Sequence, residues 1–480
     1  MPNYRPTIGL EVHVQLNTKT KLFSTAATSF GDQPNSHTTE LCLALPGALP
    51  VLNQQAVKKA VQAGLALQGQ IQKRSKFDRK NYFYPDLPKG YQISQLYEPF
   101  CLAGQVTIEK EDGSQKTIGI TRIHMEEDAG KLIHSEDPGV DASFVDLNRA
   151  GTPLIEIVSD PVIDSPDEAV AYLTNLKAIL LYIGVSDCSM EQGSLRVDAN
   201  VSIRPEGQEE LGTRVEIKNL NSFKAVKAAI EYEMERHEEL LDSGQKITQE
   251  TRLWNANYLQ TFSMRSKEEA HDYRYFPDPD LVPLILEEEQ IKSWATELPE
   301  LPKVKKDRFI EEYGLPAYDA DVLTVNKVTA DYFEKVVQEG ASAKKASNWI
   351  MAECMAVMTE KACEITELFP AEHLSQLIQS IESGAISGKM GKSVFSEMLN
   401  SGKDPKTIIS EQGLAQISDP AQVESLIDQV LQENPDSVAD FKAGKDRAQK
   451  HLMGQVMKLS KGKANPGLVN QVLLKKLNEQ

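Results

Sequence analysis

A carboxylate and an imidazole two residues apart, Glu11 and His13, stand in the stretch IGLEVHVQL at residues 8 to 16. In an extended chain both side chains leave one face about 7 Å apart along the strand, a spacing from which a divalent metal can be held. The same design recurs in three further segments. In TRIHMEED (121 to 128) Arg122, His124, Glu126 and Asp128 share a face, and in LRVDANVSIR (195 to 204) so do Arg196, Asp198, Asn200, Ser202 and Arg204. In TRVEIKNL (213 to 220) the shared face carries Arg214, Glu216 and Lys218. Brought into one sheet, Glu11, His13, Glu126, Asp198 and Glu216 would meet on one surface with Arg and Lys between them. Clustered carboxylates repel, and one must take a proton unless a cation sits among them. Oxygen donors with one imidazole favour Mg²⁺ or Mn²⁺ over zinc. Such a surface suits phosphoryl transfer, with the basic side chains neutralising phosphates. The alternative is a solvated, salt-bridged sheet face.

These residues need strands to carry them and helices to cover the apolar side. Ile8, Leu10, Val12, Val14 and Leu16 alternate with the polar set, the period of a half-buried strand. Helices are expected at 55 to 69, 166 to 184 and 222 to 241. The second opens on Ser165-Pro166-Asp167-Glu168, an N-cap followed by proline and acids in the first turn, and the third stops at Gly244. Loops rich in proline and glycine, YPDLPKGYQ (84 to 92) and FPDPDLVPL (276 to 284), are placed to line a site. The segment 264 to 280 gathers Arg265, Lys267, His271, Arg274 and two tyrosines, either as a site or as a charged helix end followed by a loop. Beyond residue 290 the pattern is helical, with a further break at Gly402-Lys403-Asp404-Pro405 before a small basic bundle. The stretch GAISGKMGKS (384 to 393) lacks the first glycine of a Walker A, Ile386 standing there, and reads as a basic loop. No GxSxG elbow is present to supply a hydrolase nucleophile.

A chain of 480 residues exceeds one ordinary core, so two or three domains are expected. Neither a membrane span nor a leader is indicated, which points to the cytoplasm and to no membrane partner. Five scattered cysteines, Cys42, Cys101, Cys188, Cys354 and Cys363, form no CxxC pair and are expected to be reduced. The net charge of −18 argues against nucleic acid, yet residues 441 to 480 hold nine Lys or Arg against Asp446 and Glu479, about +7 beside about −25 elsewhere. That asymmetry is itself a nucleic-acid signal.

Long motifs then carry a resemblance. IGLEVHVQLNTKTKLFS, LPGALPVLN, FDRKNYFYPDLPKGYQISQ, HMEEDAGK, DLNRAGTPLIEIVS, EQGSLRVDANVSIR, EIKNLNSF, RSKEEAHDYRYFPDPDL, DPKTIISEQGLAQISD and GKANPGLVN, in that order, resemble the B subunit of the tRNA-dependent aspartyl/glutamyl amidotransferase family. The resemblance implies an α+β fold: a mixed, mainly antiparallel sheet cradle domain (1–292), an all-α helical domain (293–404) and a small all-α tail domain (405–480). It implies ATP and Mg²⁺ as cofactors, and phosphorylation of the side-chain carboxylate of Glu-tRNA(Gln) or Asp-tRNA(Asn). Ammonia from the partner amidase (the A subunit) then gives the amide, and the small C subunit makes the assembly a heterotrimer. By motif, Glu11, His13 and Glu126 fall on positions like the family's metal and channel-mouth residues, and Lys80 on a polar channel position. Glu127 sits in a matching motif and is added to the catalytic set, while Glu11, His13, Glu126, Asp198 and Glu216 are expected to hold the metal. Arg196, Asn200, Arg204, Lys218, Arg265 and Arg274 are expected at the nucleotide. In the tail, Lys442, Lys445, Arg447, Lys450, Lys458, Lys461 and Lys463 are expected to meet the tRNA backbone. Many members carry four cysteines between the opening strand and LPGALP. Here Ser24, Ala26 and Thr39 replace three of them and only Cys42 remains, so no zinc is expected. A non-catalytic tRNA-binding scaffold and a stand-alone ligase using free ammonia are the rival readings.

Overall fold

The computed structural model describes residues 3–110, 112–135, 142–264, 273–414, 419–442, 445–460 and 463–479. Period-two alternation is realised in one nine-stranded sheet. Its strands are β1 (Tyr4–Gln15), β2 (Gln70–Ile71), β3 (Cys101–Glu109), β4 (Gln115–Glu127), β5 (Pro153–Ser159), β6 (Leu195–Pro205), β7 (Val215–Leu220), β8 (Thr251–Asn255) and β9 (Gln260–Ser263). They lie in the order β9-β8-β7-β6-β1-β5-β4-β3-β2. Every neighbouring pair is antiparallel except β7 with β8. The four polar-faced strands read from the sequence are β1, β4, β6 and β7, so all share this sheet. Between β1 and β4, however, runs β5.

The apolar face of the sheet is covered by α1 (Gln54–Ala66), α2 (Pro166–Tyr182) and α3 (Phe223–Asp242). Ile8, Leu10, Val12 and Val14 meet Val57, Leu173, Leu176, Val226 and Ile230 there in one continuous core. Each helix begins where its cap dictates. Ser165 Oγ accepts from the Glu168 amide at 3.1 Å, Ser222 Oγ from Ala225 at 3.0 Å, and Asn53 Oδ1 from Gln55 at 2.9 Å. Burying this face removes the apolar half of each strand from water, leaving the polar half to face the other way.

The chain divides into two compact units, Met1–Leu301 and Pro302–Gln480. Helix α4 (Glu288–Thr296) belongs to the first, since Ile291 and Trp294 pack on the sheet's core and Lys58 Nζ lies 2.5 Å from Glu297 Oε2. The second unit is helical throughout its described residues and has two cores, one spanning Phe309 to Ile408 and one spanning Val423 to Leu477. The fold is thus α+β. The glycine-lysine stretch at 384 to 393 is a turn only through Ser387; Ser387 Oγ accepts from Met390 at 3.4 Å and caps the helix Gly388–Ser401, which takes up the remainder. Among the described residues no helix is long and apolar enough to cross a membrane.

Candidate functional site

Among the described residues, the polar face of the sheet holds two three-donor clusters. His13 of β1, Glu126 of β4 and Glu156 of β5 form the first, and Glu11 of β1, Asp198 of β6 and Glu216 of β7 the second; within each, one ligand atom per residue lies within 4.8 Å of the others. Strand register explains the grouping: His13 pairs with Glu156, Glu11 with Asp198, and Asn200 with Glu216. The five expected ligands therefore divide between two sites, and the first is completed by a residue outside the expected set. Glu156 lies in PLIEIVS, where a single carboxylate in an apolar run is the one signal that points to it.

In the first cluster His13 Nε2 lies 3.4 Å from Glu156 Oε2 and 3.8 Å from Glu126 Oε1. His124 Nε2 approaches the same two carboxylates at 3.2 and 3.7 Å. Burial would push Glu156 and Glu126 up, but the two imidazoles hold both below the ordinary carboxylate range. Burial in turn lowers His124, and the two carboxylates outweigh it, raising the imidazole to about 9. Ser94 Oγ donates to Glu126 Oε2 at 3.2 Å. Lys80, on the short strand Asp78–Asn81, feels the charges of Glu126 and Glu156 and holds its ammonium 4.8 Å from the Tyr273 ring; those charges raise its pKa despite burial.

In the second cluster Lys218 Nζ donates to Asp198 Oδ2 at 2.7 Å and contacts Glu216 Oε1 at 2.8 Å. Thr251 Oγ1 donates to Glu216 Oε2 at 2.7 Å. Asn200, expected at the nucleotide, instead donates from Nδ2 to Glu11 Oε1 at 3.0 Å. Burial and the carboxylates of Glu156 and Glu216 hold Glu11 above the usual range. One lysine thus does not satisfy three acids, and this excess of oxygen donors fits a hard divalent cation.

Other expected residues stand outside the two donor sets, some beside them and some far off. Glu127 points to the opposite side from Glu126, where it binds Lys89 and accepts from the Ile93 amide at 2.9 Å, so it is not part of either cluster. Arg196 stands beside His13 in register and donates to Asp128 at 2.9 Å. Arg204 shares its face but lies six residues beyond Asp198, about 20 Å along the strand. There it pairs with Arg5 in register and donates to the Glu209 carbonyl at 3.0 Å. Arg274 is exposed, with its carbonyl accepting from Asn81 Nδ2 at 2.8 Å. Arg265 lies outside the described residues, as do Lys267 and His271.

The loop after β1 converges on Cys42. Ser24 Oγ, Thr39 Oγ1 and Lys21 Nζ lie 3.6, 3.5 and 3.5 Å from its Sγ. Lys21, 1% exposed, also donates to the His37 and Leu147 carbonyls at 2.6 and 3.0 Å. Burial raises the Cys42 thiol, but these hydroxyls and the ammonium bring it below its ordinary value. In the tail, Arg447, Lys450 and Lys458 are exposed on one stripe of the helix Asp446–Leu459. Lys442 is exposed at the end of Pro435–Lys442, Lys445 pairs with Asp440 at 2.8 Å, Lys463 is half-buried, and Lys461 lies outside the described residues.

A family model described as the GatB/GatE catalytic domain matches residues 6–292, and a second, described as a GatB domain, matches residues 331–477. Three similar proteins are each named as the B subunit of an aspartyl/glutamyl-tRNA(Asn/Gln) amidotransferase. The one from Geotalea daltonii is 55% identical over 476 residues, covering 99% of both chains. That from Thermoanaerobacter pseudethanolicus is 54% identical over 477 residues, covering 99% of this chain and all of the other. That from Carboxydothermus hydrogenoformans is 52% identical over 479 residues, again covering 99% of both. Matched along nearly its whole length at more than half identity, the chain belongs to the B-subunit family of the aspartyl/glutamyl-tRNA(Asn/Gln) amidotransferases.

Proposed function

We propose that this chain uses ATP to phosphorylate the side-chain carboxylate of glutamate on tRNA(Gln), or of aspartate on tRNA(Asn), and converts the product to the amide. A carboxylate oxygen of the aminoacyl group attacks the γ-phosphorus and ADP leaves. Ammonia then attacks the acyl carbon and inorganic phosphate leaves. The ammonia comes from glutamine hydrolysed by the partner amidase (the A subunit), and the small C subunit makes the assembly a heterotrimer in the cytoplasm.

The observation that carries this reading is the pair of three-donor clusters on one sheet face. Glu11, Asp198 and Glu216 on one side, and His13, Glu126 and Glu156 on the other, would hold Mg²⁺. Bound there, the ion supplies charge neutralisation for the transferring phosphoryl group. Lys218 and Arg196 flank the clusters and act on phosphate oxygens, while Lys80 and His124 keep the buried carboxylates ionised. Positioning and electrostatics of this kind are most of what such a transfer requires. The sheet unit is assigned the chemistry and the C-terminal helical core the tRNA body. The Cys42 loop is assigned no zinc, because one thiol and a buried ammonium occupy its centre.

The test is ADP release by the assembled complex given Mg²⁺-ATP with Glu-tRNA(Gln) or Asp-tRNA(Asn) in parallel. Release must require a mischarged tRNA. Release that is equal with correctly charged tRNA would contradict the reading.

A further inference from the structure

Asp128 follows β4 directly and is 3% exposed, yet it has no part in either cluster. Its backbone is pinned on both sides: its amide donates to the Thr152 carbonyl at 2.9 Å, and its carbonyl accepts from Gly151 at 2.8 Å. Its carboxylate gathers two hydrogen-bond donors and one ion-pair partner from three different segments. Gln15 Nε2 donates at 2.7 Å, Arg196 Nη2 at 2.9 Å, and Arg149 Nε lies 3.6 Å away. An aspartate this deeply buried needs such partners, since an unpaired carboxylate there would be strongly unfavourable.

The two arginines are not equivalent. Arg149 donates instead to the backbone after Asp128, from Nε to the Ala129 carbonyl at 3.0 Å and from Nη2 to the Gly130 carbonyl at 2.5 Å, and meets Asp128 only as an ion pair. Arg196 is engaged only through Nη2 among the described residues, and its remaining N–H groups are left for a ligand. It lines an open cavity of about 740 Å³, together with Asn17, Asn148, Asp198 and Asn219. In register it stands opposite His13 and two residues from Asp198, so it borders both clusters. An arginine is long and flexible; gripping one nitrogen restricts where the guanidinium can swing, and its free donors match phosphate oxygens.

Resting on the phosphoryl-transfer reading above, we propose that Asp128 is a positioning residue: it holds the Arg196 guanidinium toward the phosphate being transferred, from outside the metal-ligating clusters. Arg149 serves as the clamp that keeps Asp128 in place.

The experiment uses the complete complex with mischarged tRNA and measures kcat and KM for ATP from ADP release. By analogy with other outer-shell partners, Asp128→Asn lowers kcat about 10–100-fold, while KM for ATP, the melting temperature and tRNA affinity change little. Asp128→Glu keeps the charge one methylene farther out, preserves the fold and gives an intermediate kcat. Because Asp128 acts through Arg196, the double variant Asp128→Asn with Arg196→Ala is no slower than Arg196→Ala alone. Wild-type kcat in either single variant of Asp128, or a loss that adds fully to that of Arg196→Ala, would overturn the proposal. A wild-type complex without tRNA-dependent ADP release would overturn it together with the reading on which it rests.

Discussion

The Glu156 carboxylate of β5 stands 3.4 Å from the His13 imidazole of β1. That contact completes the first donor cluster, because Glu126 alone leaves His13 with a partner 3.8 Å away and no third donor. Glu156→Gln keeps the volume and removes the charge. We expect ADP release in the complex to fall by on the order of 100-fold or more, as when a fixed transition-state charge is lost, with tRNA binding unchanged. Activity within about threefold of wild type, measured by the same ADP assay, would remove Glu156 from the site.

The ammonium of Lys21 is the centre of the loop after β1, bonded to two carbonyls and to Cys42. Lys21→Met leaves the His37 carbonyl without its donor, while the Leu147 carbonyl keeps the Ala150 amide, and should destabilise the first unit by about 1–3 kcal/mol. Cys42→Ser should cost about 1 kcal/mol or less. Urea unfolding measures both. Metal analysis of the purified chain should find no stoichiometric zinc, and one zinc per chain would show that this loop has another centre.

Glu233 of α3 is fully buried against Arg236, His237 and Arg252, with contacts of 2.7, 3.2 and 3.0 Å. Burial raises its pKa, but these partners and Thr261 pull it down to about 2. A folded value below the unfolded one of about 4.5 means that the stabilisation is complete above pH 4.5 and is lost as pH falls toward 2. Its size is on the order of 3 kcal/mol. In urea unfolding, the stability gap between wild type and Glu233→Gln should therefore be widest at neutral pH and shrink below pH 4.5. A gap that stays constant down to pH 3 would contradict this assignment.

Arg447, Lys450 and Lys458 share one exposed stripe of a single helix. If they meet phosphates, replacing all three by Gln should weaken tRNA binding and reduce the slope of log affinity against log salt by roughly two. Filter binding at a series of salt concentrations reads both quantities. An unchanged slope would move the tRNA contact to another surface.

The period-two rule makes the faces legible: alternation alone assigns Glu11, His13, Glu126, Asp198 and Glu216 to one surface, and they share it. Parity gives a face but not a distance, and so Arg204, on the correct side of β6, stands about 20 Å from Asp198. The same rule separates Glu127 from Glu126, although the motif joins them. Strand order is not legible. Only one of the side chains of PLIEIVS is charged, so β5 offers no polar alternation, and its insertion between β1 and β4 divides five expected ligands into two sets. Asn200 reads as a ligand contact in the sequence and holds Glu11 in the fold, because local sequence does not reveal which polar neighbour an amide will choose.

If the two donor clusters drive phosphoryl transfer, removing one carboxylate charge from each should abolish it, as the double variant Glu11→Gln with Glu126→Gln does. In the assembled complex with mischarged tRNA and γ-labelled ATP, tRNA-dependent release of labelled phosphate should fall below detection while tRNA affinity stays at the wild-type level. Wild-type phosphate release from that variant would contradict the account and leave the acidic sheet face a charge-paired surface.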